Sequence, residues 1–337
     1  MAQTNQQSTA SRLVWRAATK LCYEACKADD VSMMEQAIST ASTSDSSHAV
    51  RDVAFLGMRR SAARRAVHVF KYLVENPHGA DVTALRAYDT MANEDMDKPS
   101  QEILEILVAH GWDINKHDGS GWTLLWSVVR YPELVKWCLD HGAKVDIPEA
   151  QPEVIGNLQK RTGAPRKTIL GMAASYGSIE TLELLGSQGA PLDPRTLHGA
   201  VYHATASAPR EGSEPDPYYT ERIDMIRHLI DVVKLDVNAI EHELGSSCST
   251  PLCIVAGRPT NQLFRELVYV LLDRGADPNL NCHKTHVVGW PSAMICGQTN
   301  GNGRFLQAVK EWQAEKQAEK QAEKQAEKQG EQVGDID

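Results

Sequence analysis

No run of apolar residues in this 337-residue chain approaches the ~18 needed to cross a bilayer, so no membrane-spanning helix and no membrane partner are expected. The first eleven residues, Met1 to Ser11, are polar and lack the apolar centre of a secretory signal. Basic charge is in deficit: 35 Lys and Arg face 44 Asp and Glu, a formal charge of -9. A polyanion would therefore need a local basic patch, and no nucleic-acid partner is expected. Aromatic residues make up only 6% of the chain. The seven cysteines are dispersed without the spacing of a disulfide framework, which points to a reduced, intracellular setting, cytoplasm or nucleus. Catalytic motifs are missing too: there is no Gly-rich phosphate loop, no Gly-x-Ser-x-Gly elbow and no His-Glu-x-x-His pair. Gly245-Ser246-Ser247-Cys248-Ser249 reads as a turn, since no strand leads into it.

What is present is a recurring phrase in which a leucine-rich helix ends in Gly-Ala-Asp-x-Asn or a relative of it. The clearest copy is Leu271-Leu272-Asp273-Arg274-Gly275-Ala276-Asp277-Pro278-Asn279. Looser copies begin at Gly79, Gly111, Gly142 and Gly189, and a glycine-less copy, Lys234-Leu235-Asp236-Val237-Asn238, follows the apolar stretch Ile226 to Ile230. The steps run 79 to 111 (32), 111 to 142 (31), 142 to 189 (47), 189 to 234 (45) and 234 to 275 (41). Glycine at such a place suits a helix end that must take positive φ, and Asp-x-Asn favours a turn.

A second phrase precedes each of the later copies: Thr123-Leu124-Leu125-Trp126-Ser127-Val128-Val129, Thr168-Ile169-Leu170-Gly171-Met172-Ala173-Ala174, Arg195-Thr196-Leu197-His198-Gly199-Ala200-Val201 and Thr250-Pro251-Leu252-Cys253-Ile254-Val255-Ala256. These resemble the Thr-Pro-Leu-His-x-Ala-Ala motif of ankyrin repeats, whose period is about 33 residues. The resemblance implies an all-α fold, an α-solenoid of helix-turn-helix units joined by β-hairpin-like fingers. It covers about residues 15–312 as seven units and a degenerate cap, clearest over 100–280. The first unit lies around Leu21 to Ile38, with Ala25-Cys26 in the Ala-Ala slot. Before residue 100 the match is weak, and helices over Arg59–Glu75 and Thr83–Ala92 are expected there. Residues 1–14 are expected to be disordered.

Insertions explain the longer steps. Ile147 to Lys167 holds three prolines, Pro148, Pro152 and Pro165, and Ala206 to Tyr219 holds three more with three acids. The C-terminal stretch 313–337 is a low-complexity polar tail, four copies of Gln-Ala-Glu-Lys and then Gln329. These residues favour helix, but glutamates four apart repel one another while Lys316 and Glu319 attract. Without an apolar stripe the tail reads as a solvated, partly helical extension.

The ankyrin resemblance implies binding of a protein or peptide through the finger tips and the exposed side of the inner helices. Residue by residue, the two positions after the Ala-Ala pair are Arg130/Tyr131, Ser175/Tyr176, Tyr202/His203 and Gly257/Arg258. The column Tyr131, Tyr176, His203 and Arg258 contains types common among interface anchors. Ser127, Met172, Gly199 and Ile254 sit one position after the motif histidine. The finger before the fourth unit adds Trp112, His117, Asp118 and Trp122. Trp126, Trp137, His198 and Cys253 read as structural, His198 through a backbone hydrogen bond. The second reading is an enzyme or small-molecule binder using Tyr131, Tyr176, His203 and Arg258 in a pocket between units. Cys248, Cys253, Cys282, His283, His286 and Cys296 lack a recognised zinc spacing, so neither a metal nor a cofactor is expected. The basic run Arg59, Arg60, Arg64 and Arg65 reads as the solvated face of an outer helix.

Overall fold

The computed structural model describes residues 2–91, 98–117, 122–145, 168–193, 195–213, 216–240, 250–258, 263–281 and 292–334, with the side chains of 2–10 and 327–334 excepted. Its regular elements are helical, and no strand occurs among the described residues. The chain is all-α. It divides into two compact units, Met1–Ile155 and Gly156–Asp337.

In the first unit α1 (Ala2–Ala28), α2 (Val31–Ser42), α3 (Ala49–Arg64) and α4 (Val67–Glu75) precede two short 3₁₀ turns, Val82–Ala84 and Ala87–Thr90. Then come α5 (Gln101–Ala109), α6 (Leu124–Ser127) and α7 (Pro132–Asp140). The stretch 1–14, expected to be disordered, is helical from Ala2 onward. One row runs α1, α3, the Ala87–Thr90 turn and α6, each packed on the next, and α2, α4 and α5 form a second row. Small side chains let the two rows close on each other. Cys22, Ala25 and Cys26 of α1 are buried, and a Cβ on Gly57 of α3 would come within 2.7 Å of Leu73 Cδ1 and 3.0 Å of Met34 Cε.

Three expectations change here. The helix expected over Arg59–Glu75 is divided between α3 and α4, with Arg65 at φ 59° between them. The helix expected over Thr83–Ala92 is replaced by the two 3₁₀ turns, each tied by a carboxylate that accepts from a backbone amide. Asp81 Oδ1 accepts from Thr83 N at 2.9 Å, and Asp89 Oδ2 accepts from Arg86 N at 2.9 Å. Extended backbone at Leu85 (ψ 144°) separates the two turns. The basic run, expected on a solvated outer helix, is divided: Arg64 and Arg65 are exposed, whereas Arg59 Nε pairs with the buried Asp89 at 2.7 Å and Arg60 lies 4.7 Å over the Tyr23 ring, on a helix that packs in the row of α1.

The second unit is more regular. Four helix pairs follow: α8 (Ile169–Tyr176) with α9 (Ile179–Ser187), α10 (Thr196–Ser207) with α11 (Pro217–Asp231), α12 (Pro251–Ala256) with α13 (Arg265–Asp273), and α14 (Ala293–Thr299) with α15 (Gly303–Gly334). The first members pack in succession as an inner row, and α11, α13 and α15 pack as an outer row. Threonine or serine caps start several helices: Thr168 Oγ1 accepts from Gly171 N, Thr250 Oγ1 from Cys253 N and Ser292 Oγ from Ile295 N. The Ala206–Tyr219 insertion is narrower than its sequence suggests, since α10 continues to Ser207 and Asp216 caps α11 at Pro217. The Ile147–Lys167 insertion lies outside the described residues.

The recurring phrase has one backbone geometry. Gly111, Gly142, Gly189 and Gly275 take φ of 82°, 84°, 79° and 87°, and Lys234 in the glycine-less copy takes 66°. At Gly111 the amide bonds Val108 O at 3.1 Å and the next amide bonds Leu107 O at 3.0 Å, the paired 5→2 and 6→1 bonds of a Schellman ending. The same pair of bonds closes α7 at Gly142, α9 at Gly189 and α13 at Gly275. Gly79 differs: α4 has already ended at Glu75, and this glycine sits in a separate turn.

Downstream of the glycine, the aspartate folds the chain and the asparagine joins neighbours. Asn115 N donates to Asp113 Oδ1, while its side chain donates to Gly142 O at 3.0 Å and accepts from Lys144 N at 2.8 Å. In the second unit Asn238 repeats the arrangement on Gly275 O (2.9 Å) and Asp277 N (2.9 Å). The joints described are thus turns linked by side chains, where hairpins were expected. Two outer-row residues also reach the inner row. Arg222 of α11 donates to the carbonyls of Tyr176 and Gly177 at 3.0 Å each, and fully buried Asn302 donates to those of Val255, Ala256 and Arg258. Both cover helix-end carbonyls that have no partner inside their own helix.

The Gln-Ala-Glu-Lys tail is helical, continuing α15 to Gly334. Its first turn lies on α13: Arg265 pairs with Glu311 and Glu315, Trp312 Nε1 donates to Asp273, and Lys316 pairs with Asp273. Residues 317–326 are exposed.

Candidate functional site

In the second unit the inner row leaves a trough of about 370 Å³, open on one side, between the ends of α8, α10 and α12. Its shape follows from small residues. Gly199 lets α10 approach α8, since a Cβ there would stand 3.0 Å from Ser175 Oγ, and Gly171 and Ile254 complete the apolar walls. Thr205 Oγ1 back-bonds Tyr202 O at 2.6 Å inside α10, and His198 Nε2 lies 3.0 Å from Ala239 O. His198 thus makes the backbone contact expected from its motif position.

Three of the residues expected to bind a partner line this trough: Tyr176, Tyr202 and His203. The Tyr176 and His203 rings lie 4.2 Å apart at 55°, and His203 meets the edge of Tyr202 at 5.4 Å and 71°. Tyr202 is 50% exposed. Arg258 places its guanidinium 4.0 Å over the Tyr202 ring and donates weakly to Tyr202 O at 3.5 Å. At the other wall, Asp193 accepts from Arg195 N at 2.7 Å and faces Arg195 Nε at 3.6 Å. A cation over a tyrosine face is worth about 0.5–1 kcal/mol at exposed sites, enough to hold Tyr202 upright as a wall.

The other expected residues fall in the first unit and do not converge on this trough. Trp112 is buried, and its indole N–H donates to Leu85 O at 2.8 Å, pinning the 3₁₀ segment. That burial withdraws it from any exposed finger. Trp122 is 40% exposed and rests against Trp126, with ring centroids 5.5 Å apart. His117 and Tyr131 are half-buried and Arg130 is exposed, while Asp118 lies outside the described residues. Met172 is buried in α8 and so leaves the exposed column in which Gly199 and Ile254 remain.

Sequence reasoning missed Asp193, Arg195 and Thr196. The signal was present: Asp-x-Arg-Thr occupies the junction between the two recurring phrases, so the turn aspartate and the start of α10 must stand side by side.

Burial pushes the Cys138 thiol up to about 12, and burial with Cys253 nearby pushes Cys296 up to about 11, so both stay protonated at neutral pH. Among the described residues no trio of His, Cys, Asp or Glu is arranged to hold a metal ion. Cys248, Cys282, His283 and His286 lie outside those residues. No described helix is long and apolar enough to cross a membrane. No protein-family model matches the chain, and no curated protein matches it either.

Proposed function

We propose that the chain is a degenerate ankyrin-type solenoid and serves as an interaction module, binding a protein segment against the exposed side of its inner helices. The observation that carries this reading is the convergence of Tyr176, Tyr202 and His203 on one open trough in the second unit. These residues were singled out by their place after the small pair of the inner-helix motif. Aromatic side chains bring large contact area at small conformational cost, which suits anchors. The two rows of helices in that unit, the Schellman endings at the repeated glycine and the asparagine bridges between successive turns support the repeat reading. The turn joints take the place of the hairpin fingers of a regular array.

The test is a random peptide library panned on the full chain, with selected peptides measured against wild type and Tyr176→Ala/Tyr202→Ala. The reading predicts a shared consensus and at least about tenfold weaker binding to the double variant at unchanged melting temperature. Peptides that bind both proteins equally, or no consensus, would overturn it.

A second reading has one observation of its own. A volume of about 370 Å³ lies at the small end of small-molecule pockets, about 300–1,000 Å³. An enzyme or small-molecule binder using Tyr176 and His203 would lose turnover or ligand affinity in His203→Ala without losing stability, and a peptide segment would be dispensable.

A further inference from the structure

Arg258 stands over the trough residue Tyr202. In the second unit Arg227, Arg265, Arg274 and Arg304 each hold a carboxylate within 4.0 Å. Arg258 holds none among the described residues. Its contacts are the Tyr202 ring beneath it and the long bond to Tyr202 O, and its Nε is shielded from solvent without a hydrogen-bond partner. A ligand carboxylate would pair with the terminal nitrogens of this guanidinium, which meets no carboxylate among the described residues.

The rest of the lining points the same way. Asp193 is already engaged by Arg195 through both backbone and side chain, so it presents little negative field to a visitor. Thr196, 1% exposed in the trough wall, has a hydroxyl with no hydrogen-bond partner among the described residues. Ile254, Gly199 and the free half of Tyr202 supply an apolar surface next to the cation. The chain as a whole is at -9, so recognition of an acid must come from this local arrangement and not from the long-range field.

Resting on the peptide-binding reading, we infer that the trough takes an acidic protein segment, pairing an Asp or Glu carboxylate with Arg258 while a neighbouring apolar side chain lies against Tyr202 and Ile254. A single planar guanidinium stacked on a ring matches a singly charged, planar carboxylate in a bidentate pair. A phosphate dianion would call for a second guanidinium, and among the described residues the one in the lining, Arg195, is engaged with Asp193.

The experiment uses dodecapeptides selected from a random library on the full chain, resynthesised with each Asp or Glu changed to Asn or Gln, or to phosphoserine. Binding is read by fluorescence anisotropy against wild type, Arg258→Gln, Arg258→Lys and Tyr202→Ala. The inference predicts that one acid-to-amide change weakens binding to wild type by about tenfold and leaves binding to Arg258→Gln unchanged, with Arg258→Lys intermediate. If peptides bind in a Tyr202-dependent way yet ignore the acid-to-amide change, the acidic assignment falls and the peptide groove stands. If phosphoserine binds at least about tenfold more tightly than Glu, the carboxylate assignment falls. If no selected peptide depends on Tyr202, the groove reading itself fails. Melting temperatures of the variants, unchanged within a few degrees, separate these outcomes from misfolding.

Discussion

The two units carry the same helix-ending phrase but build different interiors with it. In Gly156–Asp337 inner and outer helices alternate through four pairs among the described residues. In Met1–Ile155 the inner row passes from a 27-residue helix to one of 16, then to a 3₁₀ turn of 4 residues and a helix of 4. Yet Gly111 and Gly142 in the first unit close their helices as Gly189 and Gly275 do in the second. The phrase therefore governs how an outer helix stops and how the chain turns, and it leaves the inner helix to local chemistry. Near Asp81 and Asp89 the inner row is reduced to short 3₁₀ turns, whereas after the Thr168 and Thr250 caps it is helical.

The largest expected effect tests what closes the regular unit. Phe305 is fully buried, with its ring atom 2.7 Å from where a Cβ on Gly297 would stand. Phe305→Ala should cost about 3–5 kcal/mol, and hydrogen exchange should quicken in α14 and α15 while α1 to α4 keep their protection. Equal loosening of both units would mean that they do not stabilise separately.

A middle effect compares the asparagine bridges. Asn115 and Asn238 each make two bonds to the next turn, so Asn115→Ala and Asn238→Ala should each cost about 1–2 kcal/mol in chemical denaturation. A cost in only one unit would show that the shared sequence does not carry a shared function in the two places.

The smallest effect concerns φ alone. Gly275→Lys should destabilise by about 1 kcal/mol, whereas Lys234→Gly should change stability by less than about 0.5 kcal/mol, because relief at φ 66° is offset by the freedom of glycine in the unfolded chain. A large gain from Lys234→Gly would imply strain beyond the ordinary left-handed cost.

Much of this was legible in the sequence because glycine, aspartate and asparagine act through the backbone within a few residues. The helix ends at Gly111, Gly142, Gly189 and Gly275 could be read directly, and so could the two positions after the small pair that supply Tyr176, Tyr202 and His203. Trp112 could not be placed, since only the fold reveals the Leu85 carbonyl that its indole meets 27 residues away. Nor could the role of Arg222 or Asn302, whose partners lie about 45 residues back along the chain. At the glycine-less copy the following Asp236-Val237-Asn238 marks the turn, but nothing in Lys234 itself announces its left-handed backbone.

The most direct test of the account is a two-dimensional amide titration of the labelled full chain with a selected acidic peptide. The account predicts shifts concentrated at Gly171, Gly199, Tyr202, Ile254 and Arg258, lost in Arg258→Gln when the peptide is present at the same concentration. Shifts confined to the first unit, or spread evenly with none at the trough, would contradict it.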